Sequence, residues 1–238
     1  MVANDKVLEK LNRIKKECKV CNGLGFSVVI ENDVRIFKDC KCVEKIKKAL
    51  SYIDANIPLR YVKWDISELT EKFKEENQDS YEYISNYIEN VDSVVDDGQG
   101  FWLASSPGLA KSSIVSYIVR TAVDAGKTCY FDRATNFHSK LFEALNNPEA
   151  KEFLSFIINE VELLVIEEID KIYLKDEMSF NNRAFFDFIS EIYDSNKAVI
   201  ITSNDQPNVV LQRFPTFIAD RLCLLDNVIL RGNYSGRR

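Results

Sequence analysis

Two kinds of pattern divide this chain of 238 residues, and the change falls near residue 55. From residue 101 onward, apolar runs without alternation occur at 101–105 (FWLAS), 127–132 (KTCYFD), 161–168 (VELLVIEE) and 197–204 (KAVIITSN). Segments with helical spacing separate them, at 111–124, 136–145, 149–159 and 181–194. Continuous apolar strands alternating with helices predict a parallel sheet covered on both faces. A helix over 208–223, interrupted at Pro215, and a short strand at 227–231 complete this part. Upstream, residues 67–97 are acidic and helical, with Tyr81, Ile84, Tyr87, Ile88 and Val91 on one stripe. The first 54 residues follow a different plan: an amphipathic helix at 2–17, strands at 26–30 and 34–37 about a Glu-Asn-Asp turn, and a helix at 43–54. Ile57-Pro58 stops that helix, because a residue before proline avoids helical angles. The pattern therefore predicts two modules, 1–54 and 55–238.

Charge supports the division. Residues 1–50 carry 12 Lys+Arg against 7 Asp+Glu, and the rest carry 19 against 30. The overall balance of −6 gives no global nucleic-acid signature, yet the first module has a basic surplus suited to a contact surface. A short helix with surplus lysines would look the same. No apolar run has membrane-span length and the N-terminus lacks an apolar signal core, so the expected compartment is the cytoplasm, with no membrane partner.

Four of the six cysteines fall in one short stretch, as Cys18-x-x-Cys21 and Cys40-x-Cys42. In a cytosolic chain two such close pairs point to a structural Zn²⁺ site. The sequence Cys18-Lys-Val-Cys21-Asn-Gly23-Leu-Gly25 is that of a zinc knuckle, whose glycines let the backbone turn around the sulfurs. Four independent free thiols are the plain alternative. A catalytic zinc is rejected, because the one histidine, His138, is distant in sequence.

The strand at 101–105 runs into Ser105-Ser106-Pro107-Gly108-Leu109-Ala110-Lys111-Ser112-Ser113 and a helix. This is the layout of a phosphate-binding P-loop, in which backbone N–H groups and the helix dipole cradle phosphate. Lys111 would reach the β/γ oxygens of ATP or ADP, and Ser112 would hold Mg²⁺. Both signature glycines are replaced, by Ser105 and Ala110, and Gly108 remains inside the loop. Ala110 would have to adopt a left-handed conformation that costs about 1–2 kcal/mol, or crowd the phosphate.

Three further constellations follow. Glu167 and Glu168 end an apolar strand, where P-loop enzymes place a magnesium-shell carboxylate and then a general base. Glu in the first place, instead of Asp, lengthens the side chain by a methylene. Asn204 ends the strand at 197–204, at the carboxyl edge where open α/β sheets bind ligands. There it could orient an attacking water, or simply begin a turn. Arg221 lies among Ile218, Leu222 and Leu225, either as an arginine reaching a neighbouring subunit's phosphate or as a surface residue.

The Cys₄ segment, Ile57-Pro58-Leu59-Arg60-Tyr61, the loop, LLVIEE, IITSN and Ala219-Asp220-Arg221-Leu222 occur in the order of a known family. The chain resembles bacterial replicative helicase loaders of the DnaC/DnaI type, AAA+ proteins related to the IstB transposition helpers. The resemblance implies an α/β AAA+ P-loop NTPase domain preceded by a small Cys₄ zinc module. It implies that the zinc module docks on a DnaB-type helicase hexamer. The AAA+ domain would bind ATP with Mg²⁺ and single-stranded DNA, and self-assembly is possible. Residue by residue it assigns Lys111 and Ser112 to Walker A, Glu167 and Glu168 to Walker B, Asn204 to sensor 1 and Arg221 to the arginine finger. A sensor 2 arginine is expected near the end, and Arg237 after Gly232 is one residue off its spacing. The lost glycines imply slow hydrolysis. A non-hydrolysing adaptor with this fold and an IstB-like helper ATPase are the alternatives.

Overall fold

The computed structural model describes residues 5–172 and 180–232. It divides into two compact units, with the break between Asp54 and Ala55.

In the first unit, α1 (Asp5–Lys16) and α2 (Lys41–Asp54) flank an antiparallel hairpin of β1 (Phe26–Glu31) and β2 (Val34–Asp39). Asn32 and Asp33 make its two-residue turn, both with positive φ, 53° and 62°. Asn and Asp tolerate that conformation, and a turn of this hand matches the strand twist. The hairpin leaves Val28, Ile30 and Phe37 exposed.

The second unit is built on five strands among the described residues, all parallel, in the order β4-β5-β6-β3-β7. They are β3 (Phe101–Ala104), β4 (Cys129–Arg133), β5 (Leu163–Glu167), β6 (Ala198–Ser203) and β7 (Asp226–Ile229). Every residue of β3 and β5 is buried, as continuous apolar strands covered on both faces require. The covering helices are α6 (Lys111–Asp124), α7 (Ala134–Glu143), α8 (Pro148–Asn159) and α9 (Phe180–Asp194). Trp102, Phe137, Ile157, Ile166, Phe185 and Ile201 belong to one continuous core between these layers.

The acidic stretch before the sheet forms three short helices, α3 (Glu71–Glu76), α4 (Gln78–Glu89) and α5 (Val91–Asp96), where the sequence pattern reads as one run. Asn77 and Asn90 stand at the junctions, and the buried Asn77 bonds the backbone of Arg231 from both ends of its amide. At the other margin, Ala55 and Asn56 bond the backbone of Phe131 in β4. Gly100 enters β3 so close to β6 that a side-chain carbon there would meet the carbonyl of Val199 at 2.0 Å. The C-terminal helix predicted at 208–223 is two helices, α10 (Pro207–Leu211) and α11 (Thr216–Leu222), divided before Pro215. Among the described residues no helix is long and apolar enough to cross a membrane.

Register decides what the sheet presents at its carboxyl edge. Ala104 pairs with Ser203, and Arg133 with Glu167, so β3, β4, β5 and β6 end together. The residues that follow them meet there.

Candidate nucleotide site and cysteine cluster

The loop Ser105–Ala110 leaves β3 and delivers Lys111 as the first residue of α6. Ser106, Pro107 and Gly108 are exposed, while Ser105, Leu109 and Ala110 are buried. Gly108 has φ 92°, as its place in the loop requires. Ala110 has φ 60° and ψ 11°, so the left-handed conformation expected at the lost glycine is adopted by an alanine. Ser105, at the other lost glycine, is not in that region, since it is absent from the residues with positive φ.

Lys111 is 8% exposed and turned back into the loop. Its ammonium donates to the carbonyl of Ser105 at 2.7 Å, the hydroxyl of Ser105 at 3.0 Å, the carbonyl of Ser106 at 3.3 Å and Oδ1 of Asn204 at 3.1 Å. Four acceptors share three protons, so the cation is held by the chain's own groups. Burial lowers the lysine's pKa, and the charges of Asp170, Glu167 and Glu168 oppose that shift.

Glu167 ends β5 and is buried, with Oε1 unpartnered among the described residues. Burial raises its pKa, while hydrogen bonding from the Ser112 hydroxyl and the charges of Arg133 and Arg60 pull it down. A buried carboxylate oxygen without a partner beside a hydroxyl is a donor set of the kind hard divalent cations take, so Ser112 and Glu167 fit Mg²⁺. Glu168 turns left-handed, φ 54°, with its N–H on the hydroxyl of Thr202 at 3.0 Å. Its carboxylate lies 3.9 Å from the Arg133 guanidinium. Ser113 is buried inside α6 and its hydroxyl has no partner among the described residues.

Three residues of this site escaped the sequence reading or had no role in it. Asp170, with a side chain 3% exposed, accepts the Asn204 backbone N–H at 3.0 Å and its side-chain amide at 3.3 Å. The clue was a third carboxylate close behind Glu167 and Glu168. Arg60 and Arg133 bring positive charge to Glu167; Arg60 lies in the Ile57–Tyr61 segment and Arg133 closes β4.

Arg221 is placed elsewhere. It lines a cavity of about 580 Å³ with Gly98, Gln99, Asn196, Lys197 and Asp226, which precede or begin β3, β6 and β7. That is the amino edge of the sheet, opposite Lys111. One guanidinium nitrogen of Arg221 donates to the carbonyl of Phe217 at 2.8 Å, and its Nε is buried and without a hydrogen-bond partner among the described residues. Arg237 lies outside the described residues.

In the first unit, Cys18, Cys21, Cys40 and Cys42 bring their sulfurs within 4.8 Å of one another. Cys18 and Cys40 are 3.7 Å apart, and Cys21 and Cys42 are 3.5 Å apart. Sulfurs around one tetrahedral zinc at about 2.3 Å stand about 3.8 Å from each other, so the four fit that ion. α2 begins at Lys41 and so places Cys42 in its first turn. The knuckle turns with Gly23 and Gly25 at φ 84° and 83°. The N–H groups of Cys21 and Val20 hold the Cys18 thiol down to about 6, and burial with the neighbouring thiols pushes Cys42 up to about 12.

The family model of the bacterial DnaA ATPase domain matches residues 99–223, just over half of the chain. No curated protein sequence matches. Among solved structures, the chain is similar to the replication initiator DnaA bound to AMPPCP and single-stranded DNA, with TM-score 0.56 and 18% identity over 72% of this chain and 52% of that one. It is similar to the DnaC helicase loader, with TM-score 0.55 and 17% identity over 68% of this chain and all of that one. DnaI aligns with TM-score 0.57 and 13% identity over 73% of this chain and 94% of that one. The chain thus spans about half the length of the initiator structure it matches. The parallel sheet with its helices is the AAA+ P-loop fold shared with these proteins, and the chain belongs to the family of the bacterial DnaA ATPase domain.

Proposed function

We propose that this protein is an ATP-binding helicase loader of the DnaC/DnaI type that acts in DNA replication. The observation that carries the nucleotide part is the cradle around Lys111, where loop carbonyls and Asn204 hold the cation at a helix N-terminus. Lys111 and the loop N–H groups of 106–112 would bind the phosphates. Ser112 and Glu167 would hold Mg²⁺, which supplies charge neutralisation at the phosphate oxygens when bound. Glu168, tethered near Arg133, would accept a proton from water once released from that arginine. Asn204 would help fix the water's orientation. Arg221, at the far edge of the sheet, would serve a neighbouring copy, which makes self-assembly part of this reading.

The first unit, folded around a structural zinc on Cys18, Cys21, Cys40 and Cys42, would dock on a DnaB-type helicase hexamer. Its basic surplus and the exposed apolar residues of its hairpin support a contact role. Single-stranded DNA would bind to the AAA+ unit.

Co-elution tests this reading. The full chain mixed with its replicative helicase should form a complex in gel filtration, and Cys40→Ser should abolish it. A helicase that elutes alone, with zinc-loaded wild-type chain, contradicts the loader function.

A second reading, a non-hydrolysing adaptor, is favoured by the strained Ala110 and by Glu in the place of Asp at 167. It differs in predicting nucleotide binding without turnover, or none at all. An IstB-like role would replace the helicase by a transposase in the same experiment.

A further inference from the structure

We propose that Asp170 is a positioning residue of this site: it sets the orientation of the Asn204 amide, and through it the place of Lys111. The inference rests on the reading of 105–112 as a nucleotide loop.

The orientation of an amide is decided by what surrounds it. On one side of Asn204 stands the Asp170 carboxylate, which only accepts hydrogen bonds. On the other stands the Lys111 ammonium, which only donates. The amide nitrogen must therefore face Asp170, at 3.3 Å, and Oδ1 must face Lys111, at 3.1 Å. The two neighbours demand the same orientation independently. The second Asp170 oxygen takes the backbone N–H of Asn204 at 3.0 Å, so the residue is gripped at two points. Asp170 is itself fixed. Its side chain is buried, its carbonyl accepts from Arg213 at 3.3 Å, and Lys171 lies 3.6 Å from its carboxylate. A relay thus runs from Asp170 through Asn204 to Lys111, and on to the carbonyls of Ser105 and Ser106.

This role differs in sign from a purely electrostatic one. A carboxylate near a phosphate site repels the ligand, so on charge alone its removal would tighten nucleotide binding. If Asp170 positions, its removal frees Asn204 to reverse, puts an N–H against the ammonium, and loosens the prearranged cation.

The test uses the full chain without nucleotide, labelled with limiting acetic anhydride, with modification at Lys111 read by mass spectrometry. Asp170→Asn keeps the size of the side chain but turns one end into a donor. Lys111 labelling should rise about tenfold, with the unfolding midpoint as a check on folding. The exchanged pair Asp170→Asn with Asn204→Asp restores an acceptor toward Lys111, and labelling should return to within about threefold of wild type. Asn204→Ala should raise labelling on its own, and adding Asp170→Ala should change it no further. Wild-type labelling in folded Asp170→Asn, or multiplying effects in the double alanine variant, would overturn the relay. Nucleotide affinity gives the second arm. Asp170→Asn should weaken mant-ADP binding about tenfold, and tighter binding would overturn the positioning role. If wild type shows the expected labelling but binds no nucleotide, the relay stands and the nucleotide reading falls.

Discussion

The ammonium of Lys111 lies 3.1 Å from Oδ1 of Asn204, although 93 residues separate them. The contact follows from strand order. β3 and β6 are parallel neighbours in register at Ala104 and Ser203, so the residues leaving their carboxyl ends arrive side by side. The contact closes the loop of residues 105–110 from the β6 side while Ser105 and Ser106 close it from within.

Ala110 stores strain at the neck of this loop. Ala110→Gly should stabilise the nucleotide-free protein by about 1 kcal/mol, since a left-handed alanine pays a steric cost that glycine does not. Urea denaturation measures it, and a lower midpoint would show that the alanine is unstrained. Adding Ser105→Gly should raise ATP turnover if loop geometry limits the rate.

Glu167 gives stability a pH dependence. Burial raises its folded-state pKa, so the folded chain holds this proton more tightly than the unfolded one does. Stability from this group is then present at low pH and lost as pH rises from the ordinary glutamate range through the raised value. Glu167→Gln should flatten that decline and leave the variant more stable than wild type at neutral pH. Parallel stability–pH curves for the two proteins would contradict the assignment.

The cysteine cluster should carry about one zinc per chain. Cys40→Ser, or a strong chelator, should unfold the first unit and leave the cooperative unfolding of the AAA+ unit unchanged. Zinc should also leave as pH falls, because protons compete for the sulfurs. A metal-free preparation with a protected, folded first unit in hydrogen exchange would contradict this.

Arg221 belongs to the amino edge of the sheet, so it cannot serve the loop of its own chain. Arg221→Ala should leave nucleotide affinity of dilute protein unchanged and remove any ATPase activity that grows with protein concentration. A loss of affinity in the dilute chain would place Arg221 at its own site instead.

The parts of this site legible in the sequence are those that end strands or begin helices. Lys111, Ser112, Glu167, Glu168 and Asn204 each follow or close an apolar run, and a parallel sheet gathers such ends at one edge. The strain at Ala110 was legible too, because the glycine lost there left a left-handed position that alanine now occupies, whereas Ser105 at the other lost glycine is not left-handed. Asp170 was not. It lies in a short turn after β5, and its role depends on Asn204, 34 residues away. Arg60 and Arg133 act through space on Glu167, which no local pattern records. The three-helix division of 71–96 was hidden because its apolar stripe continues across the asparagine junctions.

In the proposed function, Lys111 and its loop hold a nucleotide. Isothermal titration of the full chain with ATP and Mg²⁺ tests it most directly, set beside Lys111→Ala. Wild type should bind saturably at one site per chain, and the variant should lose at least about tenfold in affinity. Equal affinity in the two proteins, or no heat of binding at millimolar ATP in either, would contradict it.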